Sequence, residues 1–141
     1  MKMIYIAGPF FNEEQVALIE AIEAVLTFNN IEFYSPRSEG VLFNMTPEEK
    51  RARMKYIFEK NVEMLNKCDT VVAVIDDHDT GTVWEIGYAY ASKKPIVTVT
   101  DKDYGLNVMI AQCVVSHCKT VEQIPQAVKG SFQQDWVGGV I

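Results

Sequence analysis

The sequence predicts a single α/β domain built on a doubly wound, mostly parallel sheet of five strands with helices on both faces, and three observations carry that prediction. Asp69 to Ile75 is a short, unbroken apolar and β-branched run, the pattern of a central parallel strand covered on both sides. A second such run, Met3 to Ala7, stops at Gly8-Pro9 and gives way to an amphipathic helix. Strand-like and helix-like segments then alternate through the remainder of the chain, without linkers, repeats or low-complexity tracts.

Taken in order, the first helix starts at Asn12, with Gln15 completing a start that resembles a capping box. Leu18, Ile19, Ile22, Val25 and Leu26 form its apolar stripe. Ile31 to Tyr34 is a short second strand that ends before Pro36. The stretch from Arg37 to Met45 has no periodic pattern and is read as a loop able to cover a site. Thr46, Pro47 and Glu49 supply an N-cap, an N1 proline and a box partner for a long helix reaching about Lys67. The Asp69 strand and a helix from Gly81 follow. Pro95 to Thr100 is the fourth strand, Asp101 to Gly105 a turn, Asn107 to Gln112 a short helix and Val114-Val115 the fifth strand. Thr120 and Gln123 open a last helix, and the tail from Ser131 onward carries Phe132 and Trp136.

At 141 residues, 48% of them hydrophobic, residues 1–141 make one domain with a proper core. The net charge of −6 disfavours nucleic acid and anionic membranes as partners, which call for a basic stripe, and favours small substrates. No apolar run has the length of a membrane span, and the start lacks the blocks of a signal peptide. Cys68, Cys113 and Cys118 form no CxxC pair and suit a reducing cytoplasm as packing residues. With His78 and His117 the only histidines, no metal-ligand spacing is visible and no metal is expected.

The segment from Asp79 to Ala89 carries the chemistry. A helix started at Gly81 stacks Thr82, Glu85, Ile86 and Ala89 on one face, and the apolar members turn that face inward. A glutamate there requires a partner or a task. The preceding cluster Asp76-Asp77-His78-Asp79 sits at the C-terminal end of a central strand, where open α/β sheets bind ligands, so these groups and Glu85 are expected to converge. On the long helix Asn61 shares a face with Met54, Ile57, Phe58 and Leu65. It reads equally well as a core amide or as a ligand contact. Tyr5, in the first strand, ends at the same sheet edge and has a phenol able to hold a carboxylate.

Together, Ile4-Tyr5-Ile6-Ala7-Gly8-Pro9, the Asp69 strand, Asp79-x-Gly81-Thr82-x-x-Glu85-x-Gly87-Tyr88-Ala89 and Gly105-Leu106-Asn107-Val108-Met109 resemble the nucleoside 2-deoxyribosyltransferase family, in order and over nearly the whole chain. The resemblance implies a flavodoxin-like subunit and exchange of the base on a 2′-deoxyribonucleoside without a cofactor. It also implies a homo-oligomer of dimers (dimer, tetramer or hexamer) whose subunits complete each other's sites. By position, Glu85 matches the nucleophile that forms a covalent deoxyribosyl ester and Tyr5 the tyrosine beside it. Asp79 matches a substrate-contacting aspartate. Asn107, with Met109 two residues on, matches the asparagine given by the neighbouring subunit to the sugar 5′-hydroxyl, and Ile141 supplies the terminal carboxylate near the site. Gly8 and Gly81 belong to the same substrate-binding turns.

One position departs from the pattern. Asn61 stands where many members have an aspartate that handles the proton of the leaving base, which leaves Asp79, Asp77, water or departure with less acid help. The Arg37–Gly40 loop lacks the family's base-contacting glutamine. Two rival readings remain: hydrolysis of deoxynucleoside 5′-monophosphates, against which Asp79 and Asn107 count because small hydroxyls and amides would suit a phosphate, and a non-catalytic nucleotide-binding module on the same fold.

Overall fold

The computed structural model describes residues 2–40, 42, 44–103 and 105–141. Five strands, β1 (Met3–Ala7), β2 (Glu32–Tyr34), β3 (Thr70–Val74), β4 (Ile96–Val99) and β5 (Ser116–Cys118), form one sheet in the order β2-β1-β3-β4-β5. Every pairing is parallel. This is the flavodoxin-like order, whose reversal between β1 and β3 leaves a crevice at the strand C-termini. Among the described residues, four α-helices connect the strands, α1 (Glu13–Phe28), α2 (Pro47–Lys67), α3 (Thr80–Ala91) and α4 (Val108–Cys113), and α5 (Ile124–Val128) follows β5. Among the described residues, no helix is long and apolar enough to cross a membrane.

Side chains alternate across the sheet, and β1 shows the consequence. Ile4 and Ile6 join a core with Ile19, Ile22 and Leu26 of α1 and Ile124 of α5. Tyr5 and Ala7 point the other way, into a core with Leu65 of α2 and Ile86 and Ala89 of α3. The strand period of two therefore commits Tyr5 to the α2/α3 layer. Gly8 follows β1 where a Cβ would approach Ile19 and Val74 side-chain atoms to 3.0 Å, so a glycine lets the chain leave the sheet there.

The helix starts follow the expected capping chemistry. Asn12 caps α1 by accepting from the Gln15 N–H at 2.9 Å, while Gln15 Oε1 accepts from the Phe11 N–H. Thr46 and Glu49 form a reciprocal capping box at α2, with Pro47 in the first turn. The loop expected from Arg37 is partly ordered as a 3₁₀ turn over Pro36–Glu39, and Val41 and Phe43 within it lie outside the described residues. Tyr104, in the expected turn before Gly105, does too. The last helix is preceded by a 3₁₀ turn at Val121–Gln123.

The fifth strand is displaced from the expected Val114-Val115 to Ser116–Cys118. β-branched character is a misleading guide here because polar side chains are satisfied inside. His117 is bonded to Thr98 Oγ1 and the Ala111 carbonyl, and Ser116 Oγ accepts from the Gln134 N–H, while Val115 is left 44% exposed. Cys68 and Cys118 are buried thiols and Cys113 is partly buried, all three free, in keeping with a packing role.

Candidate active site

A cavity of about 530 Å³ opens at the C-terminal ends of β1 and β3. The β1–α1 loop contributes Gly8, Phe10 and Phe11, α2 contributes Phe58 and Asn61, and the start of α3 contributes Asp79, Gly81, Trp84 and Glu85. Its walls are aromatic. Phe10 stacks on Phe11 with ring centroids 5.5 Å apart, and Phe58 meets Trp84 edge-on at 5.8 Å. Such planar apolar walls around a few polar groups suit a flat heterocycle.

Glu85 sits one turn into α3 on the face shared with buried Thr82, Ile86 and Ala89. The Tyr5 hydroxyl donates to Glu85 Oε2 in a short hydrogen bond. Tyr5 is itself completely buried and does not line the cavity, so it holds the carboxylate from beneath. Burial pushes the Glu85 carboxyl up to about 7; the Tyr5 hydrogen bond opposes that rise and the nearby Asp79 charge adds to it. The Tyr5 phenol is raised far above its usual range, by burial first and then by the Glu85 charge, and stays a proton donor to Glu85.

Asp79 caps α3. Its Oδ2 accepts from the Thr82 N–H at 3.0 Å and from the Thr82 hydroxyl at 2.8 Å. The chain reaches this cap through Asp77 and His78, both in the left-handed region at φ 60° and 49°. The expected convergence of the acidic cluster is only partial. Asp76 is buried on the far side, accepting from Thr100 Oγ1 at 2.6 Å and pairing with Lys102. Asp77 accepts from Gln15 Nε2 at 3.0 Å, and His78 faces a smaller cavity of about 200 Å³ beside Asn107. The N-cap geometry selects one aspartate of the three for the Glu85 cavity, a selection that composition does not encode.

Asn107, Met109 and Ile141 do not reach the Glu85 cavity of their own chain. Asn107 caps α4 through the Met109 N–H at 2.9 Å, and Met109 is 73% exposed. The tail pairs with Leu106, through Leu106 N–H to the Gly139 carbonyl at 2.9 Å and Ile141 N–H to the Leu106 carbonyl at 3.0 Å. Ile141 passes so close to Gly105 that a Cβ there would meet it at 2.8 Å. Asn107, Met109 and Ile141 therefore form one outward-facing group. Sequence reasoning gave no role to Tyr34, Glu39 and Arg53, which join Asn61 in a polar chain. No local sequence signal reveals that chain, because it depends on the parallel pairing that sets Tyr34 beside Tyr5.

The fold and cavity together define an α/β protein of the flavodoxin-like class with a partly buried carboxylate in the crevice at the switch point. The family model for nucleoside 2-deoxyribosyltransferases matches residues 4–122, and the chain belongs to that family. A solved 2-deoxyribosyltransferase from the psychrotolerant bacterium Bacillus psychrosaccharolyticus is similar over 96% of this chain and 99% of its own, at a TM-score of 0.83 and 25% identity. A conserved protein from Enterococcus faecalis V583 shares the fold, with a TM-score of 0.72, 21% identity and coverage of 94% and 99%. No curated protein sequence matches the chain significantly.

Proposed function

We propose that this chain exchanges the base of 2′-deoxyribonucleosides by a retaining double displacement in which Glu85 is the nucleophile. The observation that carries the reading is a carboxylate facing an aromatic-walled cavity while a buried phenol fixes its far oxygen. In the first step a Glu85 oxygen bonds to the anomeric carbon as the glycosidic C–N bond breaks, and in the second an incoming base displaces the ester. Positive charge develops on the sugar, and the absence of a 2′-hydroxyl makes it easier to bear. Tyr5 acts as a positioning residue, since it touches Glu85 and is sealed from the cavity.

The outward Asn107 group supports a site completed between subunits. Its cap fixes the side chain, leaving the amide nitrogen to meet a neighbour's substrate at the 5′-hydroxyl. Free nucleosides are the preferred donors. A 5′-phosphate carries close to two negative charges and needs cations or amide donors, whereas Asp79 and the Ile141 carboxylate are anionic.

The test is intact-protein mass spectrometry after brief exposure to a deoxynucleoside or to the matching 5′-monophosphate. A deoxyribosyl adduct on a peptide containing Glu85, formed faster from the nucleoside, is expected. An adduct elsewhere ends the mechanism, and faster turnover of the monophosphate with water as acceptor assigns the chain to nucleotide hydrolysis.

A further inference from the structure

Asn61 lines the cavity, and its carbonyl oxygen is already engaged: the Tyr34 hydroxyl donates to Asn61 Oδ1 at 3.1 Å. Tyr34 is held where it is. Its ring packs against Tyr5 with centroids 5.7 Å apart, and its register on β2 pairs it with that residue. Glu39 Oε1 is the other acceptor near the hydroxyl, but at 3.5 Å it is the weaker competitor for the single proton. Glu39 is fastened by Arg53, which reaches its carboxylate at 3.3 Å and its backbone carbonyl at 2.6 Å. Burial, and then the Glu39 charge, raise the Tyr34 phenol well above its usual range, so it remains a donor.

The Tyr34 bond fixes which way the amide faces: Oδ1 is turned to Tyr34, and the Nδ2 N–H groups are the end that Asn61 offers a ligand. The ionisable side chains lining the same cavity, among the described residues, are Glu85 and Asp79. Glu85 is consumed by bond formation, and Asp79 is tied to the first turn of α3. Resting on the transferase reading, we propose that Asn61 is a fixed hydrogen-bond donor that stabilises the departing base as an anion, so that transfer depends steeply on the acidity of that base. The C–N bond breaks with its electron pair kept by the base, the Glu85–carbon bond forms, and no proton moves in that step. Water protonates the released base afterwards. The acceptor available to such a donor is the carbonyl O2 of a pyrimidine or N3 of a purine, where the charge of the leaving base is shared.

The experiment is single-turnover base release from 2′-deoxyuridines with methyl, hydrogen, fluoro and trifluoromethyl groups at C5. Single-turnover conditions make bond cleavage the step observed. The logarithm of the rate is expected to rise steeply with base acidity in the native chain. Asn61→Asp keeps an oxygen for Tyr34 and adds an acid; at pH values where that acid is protonated it flattens the slope and speeds the poorest leaving base by about 10²-fold, the lower scale of general acid catalysis. Tyr34→Phe, which lets the amide turn, slows the poorest leaving base by about tenfold and the best one less, whereas a merely structural loss slows all equally. A flat line in the native chain, or the same slope in Asn61→Asp, overturns the proposal. Release of no base from any donor is a different result, because it defeats the transferase reading beneath it.

Discussion

Glu85 and His117 are both ionisable groups sunk near the C-terminal edge of the same sheet, yet they are built to opposite ends. His117 is 4% exposed and saturated: Thr98 Oγ1 lies 2.6 Å from Nδ1, the Ala111 carbonyl 3.0 Å from Nε2, and Trp136 packs edge-on at 5.4 Å. The Ala111 carbonyl can only accept, which places the proton on Nε2 and makes Thr98 the donor to Nδ1. Glu85 has one hydrogen bond, to Tyr5, and a second oxygen facing open space. Burial moves both away from their charged forms, but only Glu85 retains an unsatisfied acceptor aimed at a ligand-sized cavity. The difference teaches that depth alone does not mark a functional group. Incomplete satisfaction beside an aromatic-walled opening does.

The contrast breaks most decisively if Glu85 is dispensable. Glu85→Ala is expected to lower base exchange by about 10³-fold or more, since it removes the bonding atom, with an unchanged circular dichroism spectrum. Mixing it with equally inactive Asn107→Ala subunits is expected to restore part of the activity in hybrid sites. Exchange that survives in Glu85→Ala removes it as nucleophile, and absence of recovery after demonstrated subunit exchange means each chain completes its own site.

Tyr5→Phe comes next. It deletes a single orienting hydrogen bond, and a fall of about 10- to 100-fold in kcat is expected, with KM nearly constant. Steady-state kinetics of the purified variant measure it. A loss equal to that of Glu85→Ala means that Tyr5 takes part in the chemistry directly.

The smallest effect sharpens the comparison through pH. The unfolded Glu85 ionises near 4.5 and the folded one near 7, so the unfolded state binds fewer protons within that window and stability falls as pH rises through it. The full penalty above pH 7 is about 3 kcal/mol, comparable to the roughly 1.5–3 kcal/mol supplied by one buried isoleucine. Glu85→Gln is therefore expected to raise Tm at pH 8 and to change it little at pH 4.5, while kcat/KM of the native chain climbs with pH toward 7. His117 has the opposite sign: its pKa is lowered, so its penalty appears as pH falls below 6.5. His117→Gln is expected to lessen the loss of stability below pH 6.5 and leave exchange rates unchanged. Thermal melts across the pH range test both, and parallel pH curves for native chain and Glu85→Gln contradict a buried charge at position 85.

The sequence by itself determined the alternation of strands and helices, the two layers of β1 and the inward face that carries Glu85. Each of these follows from local periodicity and caps, which act over a few residues. The Asp79 cap, the Asn12 cap and the Thr46 box lay within reach of the same reasoning. Tertiary structure decided what depends on groups distant in the chain. Val114 and Val115 have the better strand propensity, but the contacts of Ser116 and His117 with Thr98, Ala111 and Gln134 fix the edge strand two residues later. The acidic cluster looks uniform as a string, yet Gln15 and Thr100 draw Asp77 and Asp76 away and leave Asp79 at the cavity. The orientation of Asn61 comes from Tyr34, 27 residues earlier, through a hydrogen bond that exists only once β2 lies beside β1. Periodicity fixes which face a side chain occupies; which partner meets it there is settled by packing between elements that the chain brings together only on folding.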